Sequence, residues 1–257
     1  MIDTHSHLLP GLDDGASSMG ESLELARAAV SSGVREVVCT PHLRSPGDPS
    51  ASQAGEILDE VQEALRRAGV SLRLHLGYEV TFSFAMEMDV ETLRSYCMGP
   101  GGRALLVEVP YDGWPPYAEE AVFRWRLGGL WPILAHPERN ERAQRNPALV
   151  TRLVSLGAVV QGTGPSLAGL FGPRARRFLL SLIGQGQVVL LASDAHSPRS
   201  RAGALGELAR ELMRALPGVD VDRLTRSNPE RALRGEMLEP LEPISVPSRW
   251  GKLLRKA

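Results

Sequence analysis

Short apolar runs rich in valine, leucine and isoleucine recur along the chain every 25 to 40 residues or so, about the length of one βα repeat, with amphipathic stretches of helical period between them. This rhythm predicts βα units. Strands are expected at Met1–Thr4, Arg35–Cys39, Ser71–Leu76, Ala104–Val109, Trp131–Ala135, Ala158–Gln161 and Gln187–Ala192. Their runs are almost continuously apolar, as in a parallel sheet covered on both faces. Helices are expected at Ser18–Ser32, Ser52–Ala68, Phe84–Tyr96, Glu119–Gly128, Pro147–Leu156, Pro173–Gly184 and Arg201–Ala215, with a short last one at Asn228–Leu233. Ser17–Ser18 ahead of Glu21 reads as an N-cap with acid in the first turn, and Gly33 and Gly69 stand where helix C-caps belong. Seven βα units predict a single α/β domain, either a parallel barrel, open or closed, or a doubly wound sheet. In each, a ligand site falls at the carboxyl ends of the strands. The segment Leu238–Ala257 carries Pro240, Pro243 and Pro247 and then a basic end of Arg249, Lys252, Arg255 and Lys256. It is expected to be a loosely packed tail, leaving the domain to residues 1–237.

Composition narrows the classes. Across 257 residues, 29 Lys and Arg face 30 Asp and Glu, a net charge of −1, which argues against nucleic-acid binding through bulk charge. No apolar run approaches the roughly 20 residues of a membrane span. With two cysteines and no secretory leader ahead of Asp3, the expected location is the cytoplasm, with reduced thiols.

Only six histidines occur, and five of them follow predicted strands: His5 and His7 after the first, His42 after the second, His136 after the fifth and His196 after the seventh. His75 alone falls inside a strand. Acids share the same rim: Asp13 and Asp14, Glu79, Glu108 and Asp194. A lone histidine is commonly a satisfied core or surface residue, but five on one rim are a different matter. His5 and His7 are two apart, as are Asp194 and His196, so extended backbone aims each pair the same way. Mixed imidazole and carboxylate donors suit Zn²⁺, Mn²⁺ or Fe²⁺. Nine or ten such groups exceed the needs of one ion, which points to two or three divalent metals with shared carboxylates.

Neighbouring cations suit phosphate ester hydrolysis, and Arg139 and Arg201, on rim loops past His136 and His196, are placed to clamp phosphate oxygens. A competing chemistry lies in Cys97-Met-Gly-Pro-Gly-Gly-Arg103, which has the C-x5-R spacing of cysteine phosphatases. A strand pattern follows Arg103, however, so no helix N-terminus would face the loop, and its glycines read as a turn.

The residues resemble the PHP (polymerase and histidinol phosphatase) superfamily, and within it the bacterial manganese-dependent protein-tyrosine phosphatases of capsule and exopolysaccharide synthesis. The resemblance is carried by Met1-Ile-Asp-Thr-His-Ser-His through Asp13-Asp-Gly-Ala16, Thr40-Pro-His42, Gly77-Tyr-Glu79, Glu108, Ala135-His-Pro-Glu-Arg-Asn140, Ser193-Asp-Ala-His-Ser197 and Asn228-Pro-Glu230. It implies a distorted (β/α)7 TIM-like barrel and a centre of two or three ions, Mn²⁺ first, with Fe²⁺, Co²⁺ or Zn²⁺ as alternatives. His5, His7, Glu79 and Asp194 would hold one ion, and Glu79 would bridge to a second on Glu108 and His136. Asp14, His42 and His196 would hold a third, with Asp13 competing for the place of Asp14. Arg139 and Arg201 match phosphate-binding arginines. The implied reaction is direct hydrolysis of phosphotyrosine, without a phosphoenzyme, on the Tyr-rich tail of a membrane-associated tyrosine kinase. Thr81 stands where relatives often carry arginine, and Gln161 replaces the usual asparagine; both bear on the pocket rim more than on metal binding. The alternatives are a phosphatase for a small ester such as histidinol phosphate and a metal-binding regulatory module without turnover. A peptide substrate calls for aromatic residues on the rim, for which Tyr111, Trp114 and Tyr117 are the candidates. The basic tail, with Trp250 among its charges, is read as a solvated terminus rather than a membrane-surface element.

Overall fold

A computed structural model describes residues 1–198 and 205–244. Nine strands are found among them: β1 (Ile2–Ser6), β2 (Glu36–Cys39), β3 (His42–Leu43), β4 (Arg73–Leu76), β5 (Glu79–Thr81), β6 (Ala104–Glu108), β7 (Trp131–Ala135), β8 (Val159–Thr163) and β9 (Val188–Ala192). Every pairing is parallel, in two sheets ordered β1-β2-β4 and β3-β5-β6-β7-β8-β9.

The count of nine against the seven predicted has a local cause. The second predicted strand runs on past Cys39, but Pro41 has no N–H to donate, so the ladder breaks and resumes at His42 as β3. The third likewise breaks at Gly77-Tyr78 and resumes at Glu79 as β5. A Cβ on Gly77 would stand 3.0 Å from Val38 Cγ1 and 3.2 Å from the Met98 backbone, so only glycine lets the chains close up there. Hydrogen bonds from Gly77 N to Cys39 O and from Glu79 N to Pro41 O bridge both breaks at once. The two breaks turn His42 and Glu79 together towards the site.

β6 and β9 are buried along their whole length, as nearly continuous apolar runs require, and so is β1, although only Ile2 of its five residues is apolar. At the far edge, Asp194 N donates to His5 O and His7 N to Ala195 O, linking the chain after β9 to β1.

The helices flank the sheets much as patterned. Ser18 accepts from Glu21 N ahead of the helix Met19–Ser31, and Gly33 and Gly69 follow their helices at φ 98° and 66°. The predicted helix over Phe84–Tyr96 is in fact two, Phe82–Glu87 and Val90–Arg94, because Asp89 caps a new start on Thr92 N. The expected helix Arg201–Ala215 begins, among the described residues, at Leu205. Chain 238–244 is not loose: Leu238 and Leu241 are buried, Asn228 bonds Glu239 through both its amide nitrogen and its amide oxygen, and Ile244 N reaches Gly184 O. The basic end lies outside the described residues.

Candidate metal centre

The carboxyl ends of the strands bring together all nine side chains expected to bind metal. Their donor atoms fall into four overlapping groups, each within 4.8 Å: His5, His7 and Asp194; His5, Glu79 and His136; His42, Glu79 and Glu108; and His7, Asp14, His42 and His196. Glu79 is the hub, fully buried at the start of β5. Its Oε1 lies 2.7 Å from His136 Nε2, while Oε2 lies 3.3 Å from His5 Nε2, 3.1 Å from His42 Nδ1 and 3.6 Å from His7 Nε2. His5 Nε2 is in turn 3.2 Å from His7 Nε2 and 3.5 Å from Asp194 Oδ1. Donors bound at ~2.1 Å to one ion stand ~3.0 Å apart in an octahedron and ~3.4 Å apart in a tetrahedron, so this spacing suits shared cations.

The two adjacent aspartates part company. Asp13 Oδ2 is taken by His7 Nδ1 at 2.7 Å and His42 N at 3.0 Å, and its Oδ1 accepts from Gly15 N. It holds two of the candidate ligands from behind. Asp14 instead faces outward, its side chain 60% exposed, with Oδ1 3.3 Å from His42 Nε2 and 3.6 Å from His196 Nε2. Gly15 makes this split feasible: a Cβ there would lie 2.1 Å from His7 O.

Two non-glycine residues among those described have positive φ, His136 at 33° and Asp194 at 52°, and both belong to the cluster. Left-handed backbone is uncommon for such residues and marks a position held by its surroundings. Here the holders are visible. His136 N donates to Gln161 O, and Glu138, wholly buried behind it, accepts from Thr163 N and Oγ1. Ser193, just before Asp194, donates its N to Asp3 Oδ1 and its Oγ to His5 O. Gln161, read from sequence as a variation on the rim, is buried beneath the cluster, where its Oε1 accepts from His5 Nδ1 at 2.8 Å and its Nε2 donates to Thr4 Oγ1.

The electrostatics describe a cavity shaped for positive charge. Burial disfavours protonated imidazole at His5, yet Glu79 and Asp194 outweigh it and lift the pKa to about 9. At His7 burial is likewise overcome, by Asp13 and Asp194, and the pKa rises to about 10. Burial works against ionisation of Glu79 and Asp194 too, but the facing histidines hold both below the ordinary carboxylate range. Glu108 is raised by burial and by the charge of Glu79, and burial pushes His42 down to about 4. Two buried atoms that face the shared space, Asp194 Oδ1 and His42 Nδ1, make no hydrogen bond of ordinary geometry. Imidazole and carboxylate groups converging on unmet lone pairs fit divalent cations well.

Above the cluster opens a hollow of about 700 Å³. Arg139 crosses its wall, with Nη1 3.4 Å from Asp194 Oδ2 and its guanidinium between the Tyr111 and Phe171 rings at 4.2 and 4.0 Å. Burial and the nearby Glu108 carboxylate raise the pKa of the Tyr111 hydroxyl above its ordinary value. Of the rim aromatics expected, Tyr111 alone lines the hollow; Trp114 and Tyr117 pack on the core. Phe171 was missed, since nothing near it in sequence ties it to Arg139. Arg201 lies outside the described residues.

His75 sits apart from the cluster, paired with Glu36 at 2.6 Å. Cys97 is 5% exposed, donates to Leu93 O and has its pKa pushed up by burial to about 12. The glycines after it do not cradle a ligand: Gly101 N bonds Leu233 O, and a Cβ on Gly101 would lie 2.1 Å from Gly235 N.

The family described as capsular polysaccharide synthesis, CpsB/CapC, matches residues 1–234. The chain belongs to this family. It is 33% identical to the tyrosine-protein phosphatase YwqE of Bacillus subtilis over 256 residues, covering 98% of this chain and 99% of that one. It is 32% identical to the putative tyrosine-protein phosphatase CapC of Staphylococcus aureus, over 81% of this chain and 82% of that one. Among solved structures, one from the work on YwqE and on CpsB of Streptococcus pneumoniae, unique metal-dependent tyrosine phosphatases, matches with a TM-score of 0.86 at 33% identity, over 96% of this chain and 99% of the other. Histidinol phosphate phosphatase of Lactococcus lactis matches at a TM-score of 0.54 and 14% identity, over 83% of this chain and 92% of that one, a likeness of fold alone. No helix among the described residues is long and apolar enough to cross a membrane.

Proposed function

We propose that this CpsB/CapC-family chain is a metal-dependent protein-tyrosine phosphatase of capsule or exopolysaccharide synthesis, acting in the cytoplasm on a membrane-associated tyrosine kinase. The observation that carries the proposal is the gathering of nine imidazole and carboxylate side chains, Glu79 at their hub, beneath a hollow walled by Arg139 and two aromatic rings. His5, His7, Glu79 and Asp194 would hold one ion, Glu79, Glu108 and His136 a second, and Asp14, His42 and His196 a third, with Mn²⁺ the expected metal. When bound, divalent cations supply charge that neutralises phosphoryl oxygens and acidifies a nucleophilic water. The frame that carries these ligands is, in this reading, a distorted (β/α)7 barrel, supported by the seven lines of parallel strand and by the bonds from β1 to the chain after β9.

The chain's own residues do the rest. Arg139 offers a fork to the phosphate; Asp194 Oδ2 holds it on one side, and the faces of Tyr111 and Phe171 fix its plane. Phe82, Pro110, Pro165 and Leu170 give the hollow an apolar side on which an aryl ring can lie. The leaving tyrosinate, with a pKa near ~10, is a weak base, so departure asks little of a general acid and much of charge stabilisation.

Hydrolysis of a phosphotyrosyl peptide, compared with histidinol phosphate, tests the reading. The expected result is metal-dependent turnover of the peptide, lost in His5→Ala and Asp194→Ala. Turnover of histidinol phosphate alone, or unchanged activity in both variants, would overturn it.

A further inference from the structure

Arg139 and its two aromatic neighbours do not only wall the metal hollow; they form a partition. On their other side lies a second hollow of about 580 Å³, bounded by Tyr111, Arg139 and Phe171 and closed by Gln144, Arg145 and Arg174. Its volume is enough for a side chain or a small ligand, and it opens broadly to solvent. Its charge is the feature to explain. Glu141 is its one acid, and this is taken by Arg145 at 2.9 Å in a solvent-exposed pair, while Arg139 is engaged by Asp194. Arg174, which lines the hollow and is exposed, is left as a cation with no ion-pair partner among the described residues. The second hollow therefore carries net positive charge, in contrast to the acidic cluster across the partition.

We propose that this second hollow is a substrate subsite that takes an anionic side chain close in sequence to the phosphotyrosine being hydrolysed, with Arg174 as its principal contact. The inference rests on the phosphatase reading above and adds a basis for choosing among phosphotyrosines. An extended peptide advances ~3.3 Å per residue, so residues one to three places from the phosphotyrosine can reach over the Tyr111–Arg139–Phe171 partition while the phosphate stays on the metal side. The shared chemistry is a compact anion, which a glutamate, an aspartate or a second phosphotyrosine can supply.

The test uses the full-length, metal-loaded protein and three sets of monitored phosphotyrosyl peptides. At each position within three residues of the scissile phosphotyrosine they carry glutamine, glutamate or a second phosphotyrosine. At one or more positions, wild type is expected to favour an anion over glutamine by about fivefold in kcat/KM, mainly through KM, as one solvent-exposed ion pair allows. The preference should fade in 1 M salt. Arg174→Ala should bring the ratio to about one, and Arg174→Glu should invert it, with thermal melting and metal content reporting on folding. Preference for glutamate identifies a carboxylate as sufficient; preference confined to phosphotyrosine identifies a doubly phosphorylated segment. A wild-type ratio of one at every position, or a ratio that survives both Arg174 substitutions, overturns the subsite. Failure of the parent reading looks different: no peptide of any set is cleaved while p-nitrophenyl phosphate still is.

Discussion

Gln161→Leu is the substitution that most directly asks how the cluster is held. Gln161 lies in the middle of β8 and is fully buried: its amide oxygen accepts from His5 Nδ1, its amide nitrogen donates to Thr4 Oγ1, and its backbone carbonyl accepts from His136 N. Accepting at Nδ1 keeps a proton there, so the Nε2 lone pair of His5 is the one available towards Glu79, His7 and Asp194. Leucine conserves bulk and leaves the backbone carbonyl in place, but strands the Nδ1–H and the Thr4 hydroxyl in a dry interior. Unpaired buried groups of this kind cost about 1–3 kcal/mol, and loss of a partner behind a metal-binding histidine lowers metal affinity by about 10–100-fold. Metal titration by calorimetry, with chelator competition to set the range, reads the affinity; thermal melts with and without metal read the stability. The expected result is a loss of affinity on top of the loss of stability, so the melting temperature gained on adding metal shrinks in the variant. Gln161→Asn, one methylene shorter, should fall between. If Gln161→Leu melts lower but gains as much from metal as wild type, the residue is packing alone and the argument from the tautomer fails.

Other outcomes follow from the same geometry. Gly15→Ala should abolish metal-dependent activity and destabilise the fold by about 3 kcal/mol, because the new methyl meets the backbone carbonyl of His7 and no flexible side chain can yield; a melt together with metal analysis checks both. Arg139→Ala should lower kcat/KM on a phosphotyrosyl peptide by about 100-fold while metal content stays intact, since the guanidinium contributes charge to the phosphate seat without joining the ligand set. Cys97→Ser should retain activity. With the folded thiol at about 12, about one molecule in a thousand carries a thiolate at pH 9, so alkylation by iodoacetamide at that pH should be slow in the native protein and fast after unfolding; rapid native modification with loss of turnover would restore the cysteine mechanism.

The gathering of the nine side chains was legible because strand ends in parallel α/β folds share one rim, so residues adjacent to six of the seven predicted strands could be placed together without knowing any contact between them. The pairing of His5 with His7 needed only the alternation of an extended chain. The choice between Asp13 and Asp14 could not be read that way. Their carboxylates differ by one residue in a loop, and what divides them is the turn at Gly15, which brings Ala16 N back to His7 O and commits Asp13 to the far side of the imidazole. Phe171 is hidden for a related reason. It ends the connection ahead of the helix Gly172–Gly184, and its meeting with Arg139 depends on how that helix docks, a tertiary fact with no local signature.

The breaks in the second and third strand lines belong with these. Pro41 and Gly77 are visible in the sequence as interruptions, but each alone reads as the end of a strand. Together, through Gly77 N on Cys39 O and Glu79 N on Pro41 O, they shift both lines in step and deliver His42 opposite Glu79 in register. The same economy appears at His136 and Asp194, the two non-glycine residues described with positive φ. A strand that simply continued would send alternate side chains to opposite faces, and a regular turn would carry the next residue away from the rim. Left-handed backbone at the first residue after β7 and the second after β9 instead holds each donor over the end of its own strand. The conformational cost is borne by buried polar partners on neighbouring strands, Gln161 for His136 and the carbonyl of His5 for Asp194, so the centre and the sheet beneath it stabilise one another.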